Sequence, residues 1–239
     1  MKIINNHHLA LLKIFQDNQN IQSNNDWVKK YLGTTKKYYG LKTDVKVRKV
    51  KAYLKAQNLN HEDIEKLLLS LSQGDSFEEL STIGLVLNLY PDYRNNLKPE
   101  MLDKLLDRVE GWAETDTICQ LCFTAGDILS RWSNWEKLLK KFVTDPNIHK
   151  RRASLVLLTK PLRQSDDPRL SDLALANTGK LKHEKDILIT KAVSWILRSL
   201  IKFHTKEVEN YLNDNLDTLP KIAIRETRNK LATGTKSGK

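Results

Sequence analysis

The sequence predicts an all-α protein whose short helices stack as a degenerate HEAT-like or ARM-like repeat array. Apolar residues recur at three- and four-residue spacing along almost the whole chain, and no stretch alternates strongly enough to predict a strand. Helix pairs that bury only one face stack well as a solenoid. Because no strict sequence period is visible, the repeats would be degenerate, and a compact helical bundle is the alternative.

The predicted helices are separated by residues that typically start or end helices. The pair Asp75-Ser76 precedes one helix, Pro99 opens a second, and Asp145-Pro146 opens a third. The helical segments, in chain order, are "HHLALLKIFQ", "VRKVKAYLKAQ", "HEDIEKLLLSLSQ", "FEELSTIGLVLNLY", "PEMLDKLLDRV", "NWEKLLKKF", "NIHKRRASLVLL", "PRLSDLALANT", "EKDILITKAVSWILRSLIKF" and "KEVENYLNDN".

These segments fit one helical repeat domain over residues 1–232, followed by a disordered basic tail at 233–239. The mean hydropathy is −0.51, and no apolar run approaches the ~18 residues that a membrane span needs. The amino terminus, "MKIINNHHLALLKIF", lacks an apolar region with a cleavage site, which predicts no secretory signal. Two cysteines argue against a disulfide framework and fit a reducing cytoplasm.

The charge is unevenly distributed along the chain. The formal net charge is +11 and the pI is about 9.5. Residues 29–55 carry a net +9 and residues 221–239 a net +5, so the remainder is slightly acidic. Two basic segments on a nearly neutral body predict a polyanionic partner, and nucleic acid is favoured. An anionic membrane surface is disfavoured because no long amphipathic segment carries a bulky apolar face.

Several motifs that would indicate other chemistry are missing from the sequence. It has no glycine-rich phosphate loop, no H-E-x-x-H and no paired C-x-x-C. Cys119 and Cys122 form one isolated "CQLC", which is typical of core residues on an apolar helix. The sequence therefore predicts no cofactor and no metal.

The stretch "GWAETDTICQ" places a carboxylate among apolar residues. If the stretch is helical, Trp112, Asp116, Cys119 and Phe123 share one face. A buried carboxylate is costly without a cation, hydrogen-bond donors or water. Asp116 therefore either caps or pairs locally near a helix start, or lies beside an aromatic ring in a cleft where a substrate develops positive charge.

Two further positions combine charge or aromatic character with unusual placement. Arg152 is a cation at an apolar position of "NIHKRRASLVLL". Trp195 lies off the apolar stripe of its helix, among Lys191, Arg198 and Lys202. A tryptophan among cations suits a sugar-phosphate backbone. The alternative is an ordinary tryptophan with a basic edge. The stripe itself consists of Ile189, Val193, Ile196 and Leu200.

Together these segments resemble the bacterial DNA alkylation repair family of HEAT-like-repeat DNA glycosylases (AlkD-like). The resemblance runs from "KKYYGLKTDVKVRKV" through "GWAETDTICQ" and "NIHKRRASLVLL" to "ITKAVSWILRSLIKFHTKEVENYLNDN" and "IRETRNK". It implies a solenoid whose concave basic face holds duplex DNA. It also implies excision of purines alkylated at ring nitrogen 3 or 7.

The resemblance implies a catalytic site formed by Asp116, Trp112, Trp195 and Arg152. The family's motif of a tryptophan with an aspartate four residues later falls on Trp112 and Asp116, and the second cleft tryptophan falls on Trp195. The family arginine falls on Arg152, which would grip a phosphate. Two departures are that Ala113 follows Trp112 where relatives often carry an acid, and that Arg151 replaces a neutral residue. The DNA contacts expected are Lys36, Lys37, Tyr39, Lys42, Arg48, Arg151, Lys191, Arg198, Arg225 and Arg228.

The function expected is a monofunctional glycosylase that hydrolyses cationic alkylated purines, of the 7-methylguanine and 3-methyladenine type, from duplex DNA. It would leave an abasic site, act as a cytoplasmic monomer that joins the nucleoid when bound to DNA, and need no cofactor. Some relatives bind DNA without excising bases, so a non-catalytic binder of unusual DNA structure is one alternative. A helical-repeat scaffold for protein partners is another, and it would instead predict an exposed apolar groove.

Overall fold

The structure is a computed structural model that describes residues 5–20, 22 and 26–239. Within these residues it contains fifteen α-helices and no strand, which confirms the predicted all-α helical repeat class. The first four residues of the amino-terminal segment lie outside this description. The chain forms two compact units, Met1–Cys122 and Phe123–Lys239.

The first unit contains eight helices and is organised around α5. Its helices are α1 (Asn6–Asp17), α2 (Asp26–Leu32), α3 (Thr43–Lys55), α4 (His61–Ser72), α5 (Phe77–Leu89), α6 (Pro91–Asn95), α7 (Pro99–Leu105) and α8 (Trp112–Cys119). Helix α5 packs most extensively against α4 and α8. Its residues are buried on nearly every side, since its sequence is apolar around most of its circumference.

Local capping sets the start of several helices in this unit. Ser76 caps α5, and its hydroxyl accepts a hydrogen bond from the Glu79 main-chain N–H while the Glu79 carboxylate accepts from the Ser76 main-chain N–H. Pro99 occupies the first turn of α7. These starts agree with the sequence, because the capping residues are immediate neighbours of the helices that they begin.

Helices α5 and α8 approach each other closely at Gly84. A methyl group on Gly84 would stand 2.1 Å from the carbonyl oxygen of Thr117. Such a distance is far below van der Waals contact, so a side chain at this position would force the helices apart. Cys119 and Cys122 are both buried and unbridged, and the Cys122 thiol donates to the Gly84 carbonyl oxygen at 3.1 Å. The prediction that both are core residues is confirmed.

The second unit is organised around α13. Its helices are α9 (Ala125–Leu129), α10 (Trp132–Phe142), α11 (Ile148–Val156), α12 (Pro168–Leu181), α13 (Ile187–Leu200), α14 (Thr205–Asp214) and α15 (Lys221–Thr233), with a 3-10 turn at Pro161–Arg163. Helix α13 packs against both α11 and α15. Its predicted apolar stripe, Ile189, Val193, Ile196 and Leu200, is fully buried.

Two boundaries in the second unit differ in detail from the sequence prediction. Helix α11 begins at Ile148, and its cap is Asn147, whose side chain accepts a hydrogen bond from the His149 N–H. Pro146 therefore precedes the cap instead of opening the helix. At the carboxyl end, α15 continues to Thr233 and Gly234 ends it with φ +78°. The last residues lie against α15, where Asn229 Nδ2 donates to the Lys236 carbonyl oxygen at 3.1 Å.

Candidate functional site

Helix α8 presents Trp112 and Asp116 on one partly exposed face. Both side chains are half-buried, whereas Thr115, Ile118 and Cys119 form the buried face. The predicted grouping of Asp116 with Cys119 and Phe123 is therefore wrong, because α8 ends at Cys119 and its core face is rotated away from Asp116. The pairing of Trp112 with Asp116, one helical turn apart, is present.

The amino-terminal cap of α8 belongs to Glu114. Its carboxylate accepts hydrogen bonds from the main-chain N–H groups of Glu110, at 2.8 Å, and Gly111, at 3.4 Å. Burial raises the pKa of the Glu114 carboxyl, and these N–H donors oppose the rise. Asp116 lies in the second turn, where the N–H groups already have helical partners. The hydrogen bonds that cap α8 are therefore made by Glu114.

The Trp112 indole contacts Tyr31 of helix α2. Its Nε1–H donates to the main-chain carbonyl oxygen of Tyr31 at 2.5 Å, and the two rings meet edge to face with centroids 5.4 Å apart. A methyl group on Gly111 would stand 2.3 Å from the Leu32 carbonyl oxygen, so glycine is needed for this approach. The Trp27 ring stacks on Tyr31 at 5.6 Å and is 71% exposed.

The predicted basic contacts near residue 40 divide into exposed and internal groups. Lys37, Lys42 and Arg48 are exposed. The Lys36 side chain is 7% exposed, and its Nζ lies 3.1 Å from the Glu110 carboxylate. Tyr39 is buried, and its main-chain N–H donates to Glu78 at 3.0 Å. Lys36 and Tyr39 thus serve the fold directly, and Lys37, Lys42 and Arg48 supply the accessible charge.

In the second unit, both arginines of α11 have protein partners. Arg151 forms a two-pronged ion pair with Glu184, at 2.8 Å and 3.1 Å, and also donates to the carbonyl oxygens of Asp145 and Pro146. Arg152 is 4% exposed and donates to the Leu188 carbonyl oxygen at 2.6 Å. These contacts fasten α11 to the segment that leads into α13.

Helix α13 carries Trp195 outside its buried stripe, as the sequence predicts. Trp195 and Arg198 are half-buried, and Lys191 is exposed. The predicted cations Arg225 and Arg228 are exposed on α15. They line a groove with a volume of about 330 Å³ together with Lys221, Ile224 and Asn229.

The part of the chain that the structure describes contains no cluster of metal ligands and no candidate membrane-spanning helix. No group of three or more His, Cys, Asp or Glu side chains there is placed to hold a metal ion. None of the helices within residues 5–20 and 26–239 combines the length and apolar character that crossing a membrane requires.

Sequence reasoning missed two residues around α8. Tyr31 supports Trp112, and Glu114 takes the capping role that had been considered for Asp116. The spacing of Trp27 and Tyr31, four residues apart beside Lys29 and Lys30, is a sequence signal for an aromatic face on a basic helix. The position of Glu114, three residues after Gly111, is a signal for a capping acid.

Comparisons with known proteins identify the family of the chain and a solved structure with a similar fold. A family model described as DNA alkylation repair enzyme matches residues 11–231. Among solved structures, the fold is similar to that of a "predicted DNA alkylation repair enzyme from Enterococcus faecalis", with 16% sequence identity and a TM-score of 0.74 over 90% of this chain and 98% of that chain. A search of curated proteins gave no match. Because the family match spans most of the sequence, the chain belongs to the family of DNA alkylation repair enzymes.

Proposed function

We propose that the protein is an alkylpurine DNA glycosylase that acts on duplex DNA and uses Asp116 as its catalytic carboxylate. The observation that carries this proposal is the arrangement of α8. Asp116 stands one turn from Trp112 on the partly exposed face, and Glu114 performs the local capping. A carboxylate beside an indole on the accessible face of a helix suits a role toward a substrate that carries positive charge.

The proposed reaction is hydrolysis of an N-glycosidic bond. A purine alkylated at a ring nitrogen is already a cation, so breaking its bond to deoxyribose leaves a neutral base and an oxocarbenium-like sugar. An ionised Asp116 would stabilise the positive charge that moves onto the sugar and would orient the attacking water. The Trp112 face would favour the same cation and would exclude bulk water.

The reaction would end at an abasic site without strand cleavage. Strand cleavage by a glycosylase needs an amine nucleophile that forms a Schiff base. Burial lowers the pKa of Lys46 to about 8, which is the kind of shift that such an amine needs. However, Lys46 is buried and its Nζ donates to Ser81 Oγ at 2.6 Å. We therefore give Lys46 a structural role.

Residues of the second unit are proposed to bind DNA. Trp195 offers an aromatic surface beside Lys191 and Arg198, a combination that suits a sugar-phosphate backbone. Arg152 is nearly fully buried and bonded to Leu188, so we propose that it positions the helix that carries Trp195. A monomer would suffice for this function.

The decisive experiment measures excision from matched duplexes that differ only in the lesion. The protein is incubated with duplex containing 7-methylguanine or hypoxanthine, and abasic sites are then cleaved with alkali. Excision of 7-methylguanine but not of neutral hypoxanthine is expected, because the mechanism contains no general acid to protonate a neutral leaving base. Equal rates on both would refute the mechanism. Binding without excision of either would instead support the non-catalytic alternative.

A further inference from the structure

Helix α2 has no buried face to hold it in place. It contains seven residues, all of which the structure describes, and none of them is buried. A helix of this length is marginal in water unless tertiary contacts support it. The orientation of Trp112 therefore depends on the contacts that fix α2, because the main-chain carbonyl oxygen of Tyr31 accepts the hydrogen bond of the indole.

The chain that leaves α2 runs along the start of α8. Gly33 follows α2 with φ +75°, a backbone conformation that favours glycine. The next residue, Thr34, donates from its hydroxyl group to the Glu114 carboxylate at 3.2 Å. Residues 31–36 are thus attached to residues 110–114 within the first unit, and these attachments set where α2 ends.

Glu110 holds the two residues that follow Thr34. One oxygen of its carboxylate accepts hydrogen bonds from the Thr35 main-chain N–H at 2.9 Å and from the Thr35 hydroxyl at 2.7 Å. The other oxygen lies 3.1 Å from Lys36 Nζ. Partial burial acts to raise the pKa of the Glu110 carboxyl, but the bonds from Thr35 and the charge of Lys36 outweigh it and lower the pKa. The carboxylate therefore holds both residues as an anion, and hydrogen bonds to an anion are the stronger kind.

The side chain of Glu110 takes no part in the hydrogen bonds that cap α8. Glu114 makes those bonds, and it accepts them from the main-chain N–H groups of Glu110 and Gly111. A substitution of the Glu110 side chain leaves both N–H groups in place. Position 110 can therefore be varied without removing the cap of the helix that carries Trp112 and Asp116.

We propose that Glu110 is a positioning residue, which holds α2 in the place where the Tyr31 carbonyl orients the Trp112 indole. The inference rests on the proposed function for its effect on excision. Glu110 acts through Thr35 on the end of α2, and through Tyr31 on the indole. Without the Glu110 carboxylate, the end of α2 shifts and the indole loses its acceptor. The aromatic face beside Asp116 is then misaligned, although the surrounding helices remain folded.

The first test observes the indole directly. In protein labelled with nitrogen-15, the Trp112 indole N–H signal is identified by its loss in Trp112→Phe, and its exchange with solvent is followed by NMR. A hydrogen bond slows this exchange. We expect Glu110→Ala to speed it about fivefold, which corresponds to the loss of one ordinary hydrogen bond. Glu100→Ala removes an exposed acid of α7 and should leave the exchange unchanged.

Conservative variants separate positioning from general stability. Glu110→Gln keeps an oxygen that accepts from Thr35 and should retain slow indole exchange, while Thr35→Val removes only the hydroxyl bond and should give an intermediate rate. Thermal melting by circular dichroism establishes which variants are folded. Wild-type indole exchange in folded Glu110→Ala and Thr35→Val would overturn the positioning role. Thr35→Val decides alone should Glu110→Ala fail to fold.

The second test determines whether Glu110 acts through Trp112. Single-turnover excision of 7-methylguanine is measured for Glu110→Ala, for Trp112→Phe and for the double variant. Both changes break the hydrogen bond between the indole and Tyr31, so the double variant should be no slower than the slower single variant. Losses that multiply in the double variant would overturn a route through Trp112.

The two proposals fail in distinguishable ways, because indole exchange is measured on the free protein without DNA. Faster exchange in Glu110→Ala, in a protein that releases no 7-methylguanine, would retain the positioning of Trp112 and remove the glycosylase assignment. Excision of 7-methylguanine together with wild-type exchange in Glu110→Ala and Thr35→Val would do the reverse.

Discussion

The indole of Trp112 is hydrogen-bonded to the main-chain carbonyl of Tyr31, a residue 81 positions earlier in the chain. The bond joins the start of α8 to the end of α2. It fixes the plane of the Trp112 ring, and the edge-to-face contact with the Tyr31 ring supports the same orientation. The ring proposed to flank a substrate is thus oriented by an element that had no predicted part in the site.

Trp112→Phe should reduce excision about fivefold or more while preserving the fold. Phenylalanine keeps an aromatic face but cannot donate to the Tyr31 carbonyl, and a hydrogen bond of this kind contributes ~1 kcal/mol. Single-turnover excision of 7-methylguanine measures the effect. Tyr31→Phe is the matched control, because it keeps both the carbonyl acceptor and the ring. A loss in Tyr31→Phe equal to that in Trp112→Phe would show that the tyrosine hydroxyl matters instead.

Asp116→Asn should remove most excision and leave duplex affinity unchanged. The amide keeps the shape of the side chain but loses the charge that opposes the developing sugar cation. Preorganised groups of this type contribute ~3–4 kcal/mol, or about a hundred- to a thousandfold in rate. Asp92→Asn makes the same chemical change at an exposed position of α6 and should excise at the wild-type rate. Near wild-type excision by Asp116→Asn would end its assignment as the catalytic carboxylate.

Gly84→Ala should lower the free energy of unfolding of the first unit by about 1–3 kcal/mol, the usual cost of overpacking. The added methyl would meet the Thr117 carbonyl oxygen at 2.1 Å, and neither partner is a flexible side-chain end. Urea unfolding gives the free energy. Gly126→Ala is the control, since the nearest atom to its methyl would be Thr124 Oγ1 at 3.8 Å. That variant should be neutral or slightly stabilising. Equal stability of the two variants would contradict the close packing of α5 on α8.

Charge reversal should affect protein stability at the internal Lys36 but not at the exposed Lys37 and Lys42. Lys37→Glu and Lys42→Glu should weaken duplex binding and flatten its salt dependence, with little change in melting temperature, because both side chains are exposed. Lys36→Glu should also lower the melting temperature, since it sets two carboxylates against each other at Glu110. Fluorescence anisotropy at two salt concentrations, paired with thermal melting, measures both effects. A melting temperature of Lys36→Glu equal to that of Lys37→Glu would count against the internal ion pair.

The helices were predictable where their signals are local. Ser76 and Pro99 lie beside the helices that they start, so sequence alone places those starts. The end of α8 was not predictable in this way. The apolar spacing continues to Phe123, but the helix stops at Cys119 and residues 120–122 form a turn. Periodicity reports which residues prefer burial and does not report where a helix stops.

The candidate site was predictable in its chemistry and less so in its accessibility. The pairing of Trp112 with Asp116 follows from helical spacing alone. The ion pair of Lys36 with Glu110 joins residues 74 positions apart, so the sequence shows only a free basic residue. Arg151 likewise pairs with Glu184, which lies 33 positions later in the loop between α12 and α13. Charge counts locate basic segments, and long-range pairing decides which of their members remain available.

Residues 34–40 are held by carboxylates that are synthesised after them. Glu78, Glu110 and Glu114 accept hydrogen bonds from Tyr39, Thr35 and Thr34, which precede them by 39, 75 and 80 residues. A ribosome therefore delivers the basic segment well before the acids that hold it. Until Glu114 has been synthesised, the nascent chain carries a cationic stretch whose set of anchoring carboxylates is incomplete. The hydrogen bonds that hold residues 34–40 are therefore complete only after about half of the polypeptide has been synthesised.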